Sequence, residues 1–150
     1  MIRRRIGFTF IELLMVFVIL GLVFAFAMPK FVSVRTRYNV QSARDRVAST
    51  LATARAAAIR RGRSAWFRRS GNTILVTSEN GTLVPDTIVR PYALDQAFGV
   101  TLSATVDTVR FNGRGFSTLS STQKFLISSS GKTDSVCVSP RGIVNAKGCI

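Results

Sequence analysis

Glu12 demands a chemical explanation before any other residue in this 150-residue chain. It lies within residues 8–28, FTFIELLMVFVILGLVFAFAM, where 18 of 21 positions are apolar and only Thr9, Glu12 and Gly21 depart. A carboxylate in hydrocarbon costs about 2.5–3.5 kcal/mol on insertion scales, so it asks for a cationic partner or a function. Cys137 and Cys149, the only cysteines, stand twelve positions apart near the C-terminus. In an exported domain they are expected to form a disulfide, stabilising by about 3 kcal/mol on the chain-entropy model. The spacing is not CxxC, and two thiolates without further ligands do not make a metal site. A third chemistry belongs to the arginines. Arg68 and Arg69 beside Trp66 and Phe67, together with Arg114, Arg141 and Lys147, are the candidate phosphate contacts of a nucleic-acid surface.

Other chemistries drop out early. The chain has no histidine, which excludes His-based acid–base catalysis and removes the imidazoles of the usual zinc sites. The six acids outside the apolar run are scattered, and no GxxxxGK[ST] or GxGxxG occurs. Gly113-Arg114-Gly115 reads as a turn. No enzyme, metal or cofactor is expected.

The elements that must position these residues follow from charge and periodicity. A basic leader with Arg3, Arg4 and Arg5 precedes the apolar run. Twenty-one helical residues rise about 31 Å, matching a hydrocarbon core of about 30 Å. The positive-inside rule keeps the N-terminus cytoplasmic and exports the rest. A secretory signal cut after Ala27, at Ala25-Phe26-Ala27, is the competing reading. The length of the run and the presence of Glu12 weigh against it. Pro29 should kink or loosen the helix. Beyond it Val40, Ala43, Val47, Leu51, Ala54 and Ala58 recur at spacings of three and four, an amphipathic stripe reaching back less regularly to Phe31 and Val34. Gly62 is the expected helix stop. Arg35, Arg46 and Arg60 lie nearly opposite the stripe while Arg37, Arg44 and Arg55 flank it, which predicts a solvated face with snorkelling stems.

From Ser64 the pattern changes to strands. SAWFRRS and TILVTS flank Gly71-Asn72 as a hairpin. Residues 82–99, with Pro85 and Pro91 and no clear period, read as loop. Val100, Leu102, Ala104 and Val106 alternate as a half-buried strand. Further strands are expected at 108–112, 123–128, 134–139 and 142–145. The fold class is α+β: a long N-terminal transmembrane and amphipathic helix packed on an antiparallel β-sheet head. The expected domains are 1–7 leader, 8–29 transmembrane helix, 30–62 amphipathic continuation and 63–150 head.

GFTFIELL, Gly7 to Leu14, resembles the type IV prepilin processing site, and the proline after the apolar run extends the match. The resemblance implies cleavage between Gly7 and Phe8 by a prepilin peptidase and methylation of the new Phe8 amine. It also implies that Glu12 pairs with the Phe8 ammonium of a neighbouring subunit, setting axial register in an apolar bundle. Ala54 to Ile59 followed by SAWF, Val109-Arg110-Phe111-Asn112-Gly113, and Val136-Cys137-Val138-Ser139 with Cys149 look like the GspH/FimT group of minor pilins and pseudopilins. That group implies a pilin fold and an H-type minor pseudopilin near the tip of a periplasmic pseudopilus in a type II secretion system. Its partners would be other pilins or pseudopilins, the peptidase, the bacterial inner membrane and secreted cargo. The alternative is a FimT-like minor pilin engaged in pilus assembly or DNA uptake. Against DNA, the +14 net charge is uneven: the leader carries +3, residues 30–69 carry +10 and residues 70–150 only +2, with Glu12 subtracting one.

Overall fold

The computed structural model describes residues 9–81, 85–146 and 149, with backbone alone at 27–30. Gly7, Phe8 and Lys147 lie outside the described residues. The chain divides into two units, Met1–Arg35 and Thr36–Ile150.

One helix, α1, runs from Phe10 to Arg61 and passes through Pro29 as helix. Its start is capped: the Thr9 hydroxyl accepts the Glu12 backbone N–H at 3.3 Å, and Leu13 N–H bonds the Thr9 carbonyl. Thr9-x-x-Glu12 is the pattern of a capping box, and the carboxylate in the first turn suits the helix dipole. Its end is the expected one. Gly62 takes φ +61°, its N–H bonds the Ile59 carbonyl and Arg63 N–H bonds the Ala58 carbonyl. That pair of bonds is the Schellman motif, which satisfies carbonyls the helix leaves orphaned.

In the first unit every described side chain from Thr9 to Phe26 is exposed, apolar residues on all faces alike. A helix apolar all round has no core-facing stripe and needs lipid or other helices around it. The length and composition of α1 suffice to cross a membrane. Phe31 and Val34 are exposed too, so the buried stripe begins at Val40.

In the second unit Val40, Ala43, Val47, Leu51, Ala54 and Ala58 are all buried, as their period requires. They share one core with two antiparallel sheets. The strands are β1 (Ala65–Ser70), β2 (Thr73–Ser78), β3 (Asp86–Ala93), β4 (Thr101–Ala104), β5 (Thr108–Phe111), β6 (Gln123–Ser129), β7 (Lys132–Val138) and β8 (Val144–Asn145), with a short helix α2 at Leu94–Phe98. The first sheet has the order β3-β2-β1-β5 and the second β4-β6-β7-β8. Phe67 of β1 and Phe125 of β6 meet edge to face across the two, with centroids 5.4 Å apart. The β1–β2 hairpin turns at Gly71-Asn72, with Ser70 opposite Thr73. Its tip also joins the sheets, because the Asn72 side-chain oxygen accepts Leu102 N–H of β4 at 2.9 Å.

The loop expected at 82–99 is corrected: residues 86–98 form β3 and α2. Register explains the missing period. Ile74 pairs Tyr92, Val76 pairs Val89 and Thr77 pairs Thr87, so extra residues bulge on β3 at two places. Each bulge switches which side chains face the core, and the alternation is lost. β3 is also an edge strand, where Pro91 is tolerated.

Candidate functional site

Three sets of residues carry the candidate functions, and the structure treats them differently. Glu12 is exposed in the first turn of α1, where its neighbours along the helix, Thr9 apart, are apolar. Thr9, which the sequence reading passed over, fixes that turn by capping it. Its signal was available as a threonine three residues before a glutamate.

The two cysteines are joined. Cys137 is buried on β7, and its Cα lies 5.3 Å from that of Cys149. Cys137 also pairs with Asn145 of β8, so the disulfide fastens the chain terminus beyond the last strand to the sheet. Replacing both cysteines with serine is expected to cost about 3 kcal/mol, most of it by freeing the unfolded chain. Thermal melts of the oxidised chain and the double variant will read this difference.

The arginines are the main revision. Arg37, Arg46 and Arg60 are exposed as expected, yet several arginines of α1 also reach across to the rest of the head. Arg44 donates to Asp134 of β7 at 3.0 Å and to its neighbour Asp45 at 2.8 Å. Its pKa is raised by the hydrogen bond to Asp45 first, against partial desolvation. On the other flank of the stripe Arg46 lies over the Tyr92 ring of β3, 4.6 Å from its centroid. Arg55 donates to the Gly115 carbonyl at 3.1 Å. Arg61 reaches the Ser78 hydroxyl and Asp86, each at 2.7 Å. Half-exposed pairs of this kind contribute roughly 0–1 kcal/mol each, so their value lies in fixing orientation.

The candidate phosphate contacts come apart in the same way. Arg69 is committed to Asp107 and to the carbonyls of Gly71 and Leu102, leaving no free fork for a phosphate. Phe67 is fully buried and cannot stack on a base. Trp66 carries the Arg110 guanidinium near its ring, at 5.8 Å. Arg68 is exposed and shares the outer face of β1 with half-buried Trp66, so of the expected set only this pair stays together at the surface. Arg114 and Arg141 are both exposed, and their loops are knitted together. Ser117 N–H bonds the Pro140 carbonyl at 3.0 Å and the Ser117 hydroxyl bonds the Ser139 carbonyl at 2.9 Å. Gly113-Arg114-Gly115 is a turn, with the Asn112 side-chain oxygen accepting from Arg114 and Phe116 N–H.

Gly142 makes that junction possible. It takes φ +75°, and a Cβ there would sit 2.1 Å from the Gly115 carbonyl oxygen. Gly142→Ala must therefore strain the backbone and part the two loops. The expected cost is about 2–4 kcal/mol, measurable by denaturant unfolding.

Comparison with known proteins places this arrangement. The crystal structure of the type IV minor pilin FimU from Pseudomonas aeruginosa in space group P21 superposes with a TM-score of 0.61 at 19% identity. The match covers 75% of this chain and 90% of that one. The P65 form of FimU gives 0.59 at 18% identity, covering 72% and 92%. At that identity the likeness carries the fold, and the fold is a pilin's: an N-terminal helix and an antiparallel β head. The prokaryotic N-terminal methylation motif matches residues 2–28, and the family described as type II transport protein GspH matches residues 43–142. No curated protein matches the chain.

The chain is thus a type IV pilin-like protein, with an apolar anchor helix for the inner membrane and a soluble head. The GspH match spans well over half of it, and the chain belongs to the GspH family. Family and fold are those of structural pilin-like proteins and not of enzymes.

Proposed function

We propose that this chain is the H-type minor pseudopilin of a type II secretion system, assembled near the tip of a periplasmic pseudopilus. The family match over residues 43–142 is the observation that supports this reading. In this reading Arg3–Arg5 hold the leader in the cytoplasm, residues 8–29 span the inner membrane and the head faces the periplasm. A prepilin peptidase cuts after Gly7, Phe8 is methylated, and the apolar helix leaves lipid for the filament core. The head then contacts other minor subunits and cargo. Catalysis has no part in it.

Two measurements test the proposal. The intact mass of chain purified from membranes should be lower by residues 1–7 and higher by one methyl group. Loss of 27 residues would instead mean signal cleavage after Ala27 and would sink the filament reading. Deleting the gene should stop protein secretion. Normal secretion with lost pilus function or lost DNA uptake would transfer the chain to the FimT-like alternative.

A further inference from the structure

Most large apolar side chains of the head are buried, so the exposed ones are informative. Among the described residues of Thr36–Ile150, four are exposed: Tyr38, Ile59 (49%), Phe116 (49%) and Ile143 (54%). Two of the four, Ile59 and Ile143, line one groove, and Phe116 belongs to the turn that borders it. Ile59 lies on the outer side of α1, and its δ1 carbon packs close over Gly115, in the turn that carries Phe116. Ile143 follows Gly142, which lies against the Gly115 carbonyl. Between the helix and the last hairpin is a groove of about 380 Å³, lined by Ala52, Arg55, Ala56, Ile59, Ile143 and Val144. Ala52, Ala56 and Ile59 are exposed on α1 outside its buried stripe, so the groove belongs to the surface and not to the core.

The charge around this face has one sign. Arg55 lines the groove, Arg114 shares a turn with Phe116, and Arg141 precedes the Gly142-Ile143 step. The segments that build the face, 46–63, 108–122 and 139–146, contain no Asp or Glu. Lone basic loops would suit any polyanion. Apolar side chains at the centre with arginines at the rim match instead the make-up of a protein-binding hot spot.

We propose that this arginine-rimmed apolar face docks an acidic, aliphatic segment on the head of a neighbouring filament subunit. The inference rests on the reading of the chain as a filament subunit and adds which face of the head is used and what chemistry it takes. Ile59, Phe116 and Ile143 receive aliphatic side chains, while Arg114 and Arg141 pair with carboxylates at the edge. A basic rim also accelerates encounter with an acidic partner and rejects a basic one.

The test uses the full tagged chain, co-expressed with the pilin-like subunits of its own machine and purified in detergent. Phe116→Asp with Ile143→Asp should lower co-purification of at least one of those subunits by about tenfold or more. Arg114→Glu, in an exposed turn, is the second variant; it should lower co-purification about threefold or more even where the double variant unfolds the head. Recovery of Arg141→Glu by a carboxylate-to-lysine change on the partner would confirm the charge pairing. Wild-type co-purification by all these variants, with Glu12→Gln still failing to enter filaments, overturns the docking face and leaves the filament reading standing. Wild-type behaviour of Glu12→Gln as well removes both. Unchanged co-purification with loss of a salt-dependent shift on duplex DNA overturns the proposal in favour of a nucleic-acid surface.

Discussion

Truncating Phe67 to alanine is expected to destabilise the head by about 3–5 kcal/mol, among the largest effects a single core substitution produces. Phe67 is fully buried at the centre of β1, with Val76 of β2 opposite on one side and Val109 of β5 on the other. Both valines are fully buried as well, so neither can swing into the space the ring leaves. The ring also makes the edge-to-face contact with Phe125 that joins the two sheets. Its removal therefore creates a cavity and loses an aromatic pair worth about 0.5–1.5 kcal/mol beyond its area. For a domain of this size the melting temperature should fall on the order of 10–20 °C. Phe67→Leu refills most of the volume and should cost about 1–1.5 kcal/mol. Equal losses for the two variants would show that the contact with Phe125, and not the filled volume, dominates. A loss below 1 kcal/mol for Phe67→Ala would mean that the two sheets do not depend on this ring.

The same residues show which parts of the fold were legible in the sequence. Val40, Ala43, Val47, Leu51, Ala54 and Ala58 obey a helical period because one side of α1 is buried over its whole C-terminal half. Gly62 stops it because the Schellman geometry needs a residue at positive φ. β1, β2, β4, β5, β6 and β7 were readable as local alternations or turns. Their partition was not. β1 pairs with β5 across some forty residues, and β4 turns to β6 in a different sheet. Alternation reports that one face of a strand is buried, without naming its neighbour. β3 was missed because two bulges moved its inward face, a register effect that period-2 reading cannot detect.

Charge was legible in amount and illegible in use. A run such as Arg44 to Arg61 reads as a solvated face because its partners are distant in sequence. Asp134 lies ninety residues from Arg44, and Asp107 thirty-eight from Arg69. Those bonds hold Arg44 and Arg69 against carboxylates of the head, and Arg69 leaves the list of available cations. What remains accessible at one place, Arg114 and Arg141, comes from two loops that no local pattern connects. Gly142 connects them, through an approach that admits no Cβ.

Glu12→Gln is expected to abolish filament entry while leaving the head's melting temperature unchanged. We propose that its carboxylate pairs with the methylated Phe8 ammonium of an adjacent subunit once the helix is in the filament core. Two facts frame the size of the effect. Glu12 sits in a run of 21 residues of which 18 are apolar, where a charge is costly by itself. It also belongs to the Met1–Arg35 unit, apart from the head's core. Glutamine keeps shape and hydrogen bonding, enters the bilayer more easily, and deprives the ammonium of its counter-charge. Leaving one member of a buried pair uncompensated costs about 3–5 kcal/mol, on the order of 10²–10⁴ in the equilibrium between membrane pool and filament. Glu12→Asp, one methylene shorter but still charged, should retain measurable entry. Thr9→Ala supplies the control, because it removes the helix cap at about 1 kcal/mol without touching the charge. The ratio of filament-bound to membrane-bound chain decides the matter. If Gln and Asp at position 12 assemble alike, charge pairing is not what brings this subunit into register.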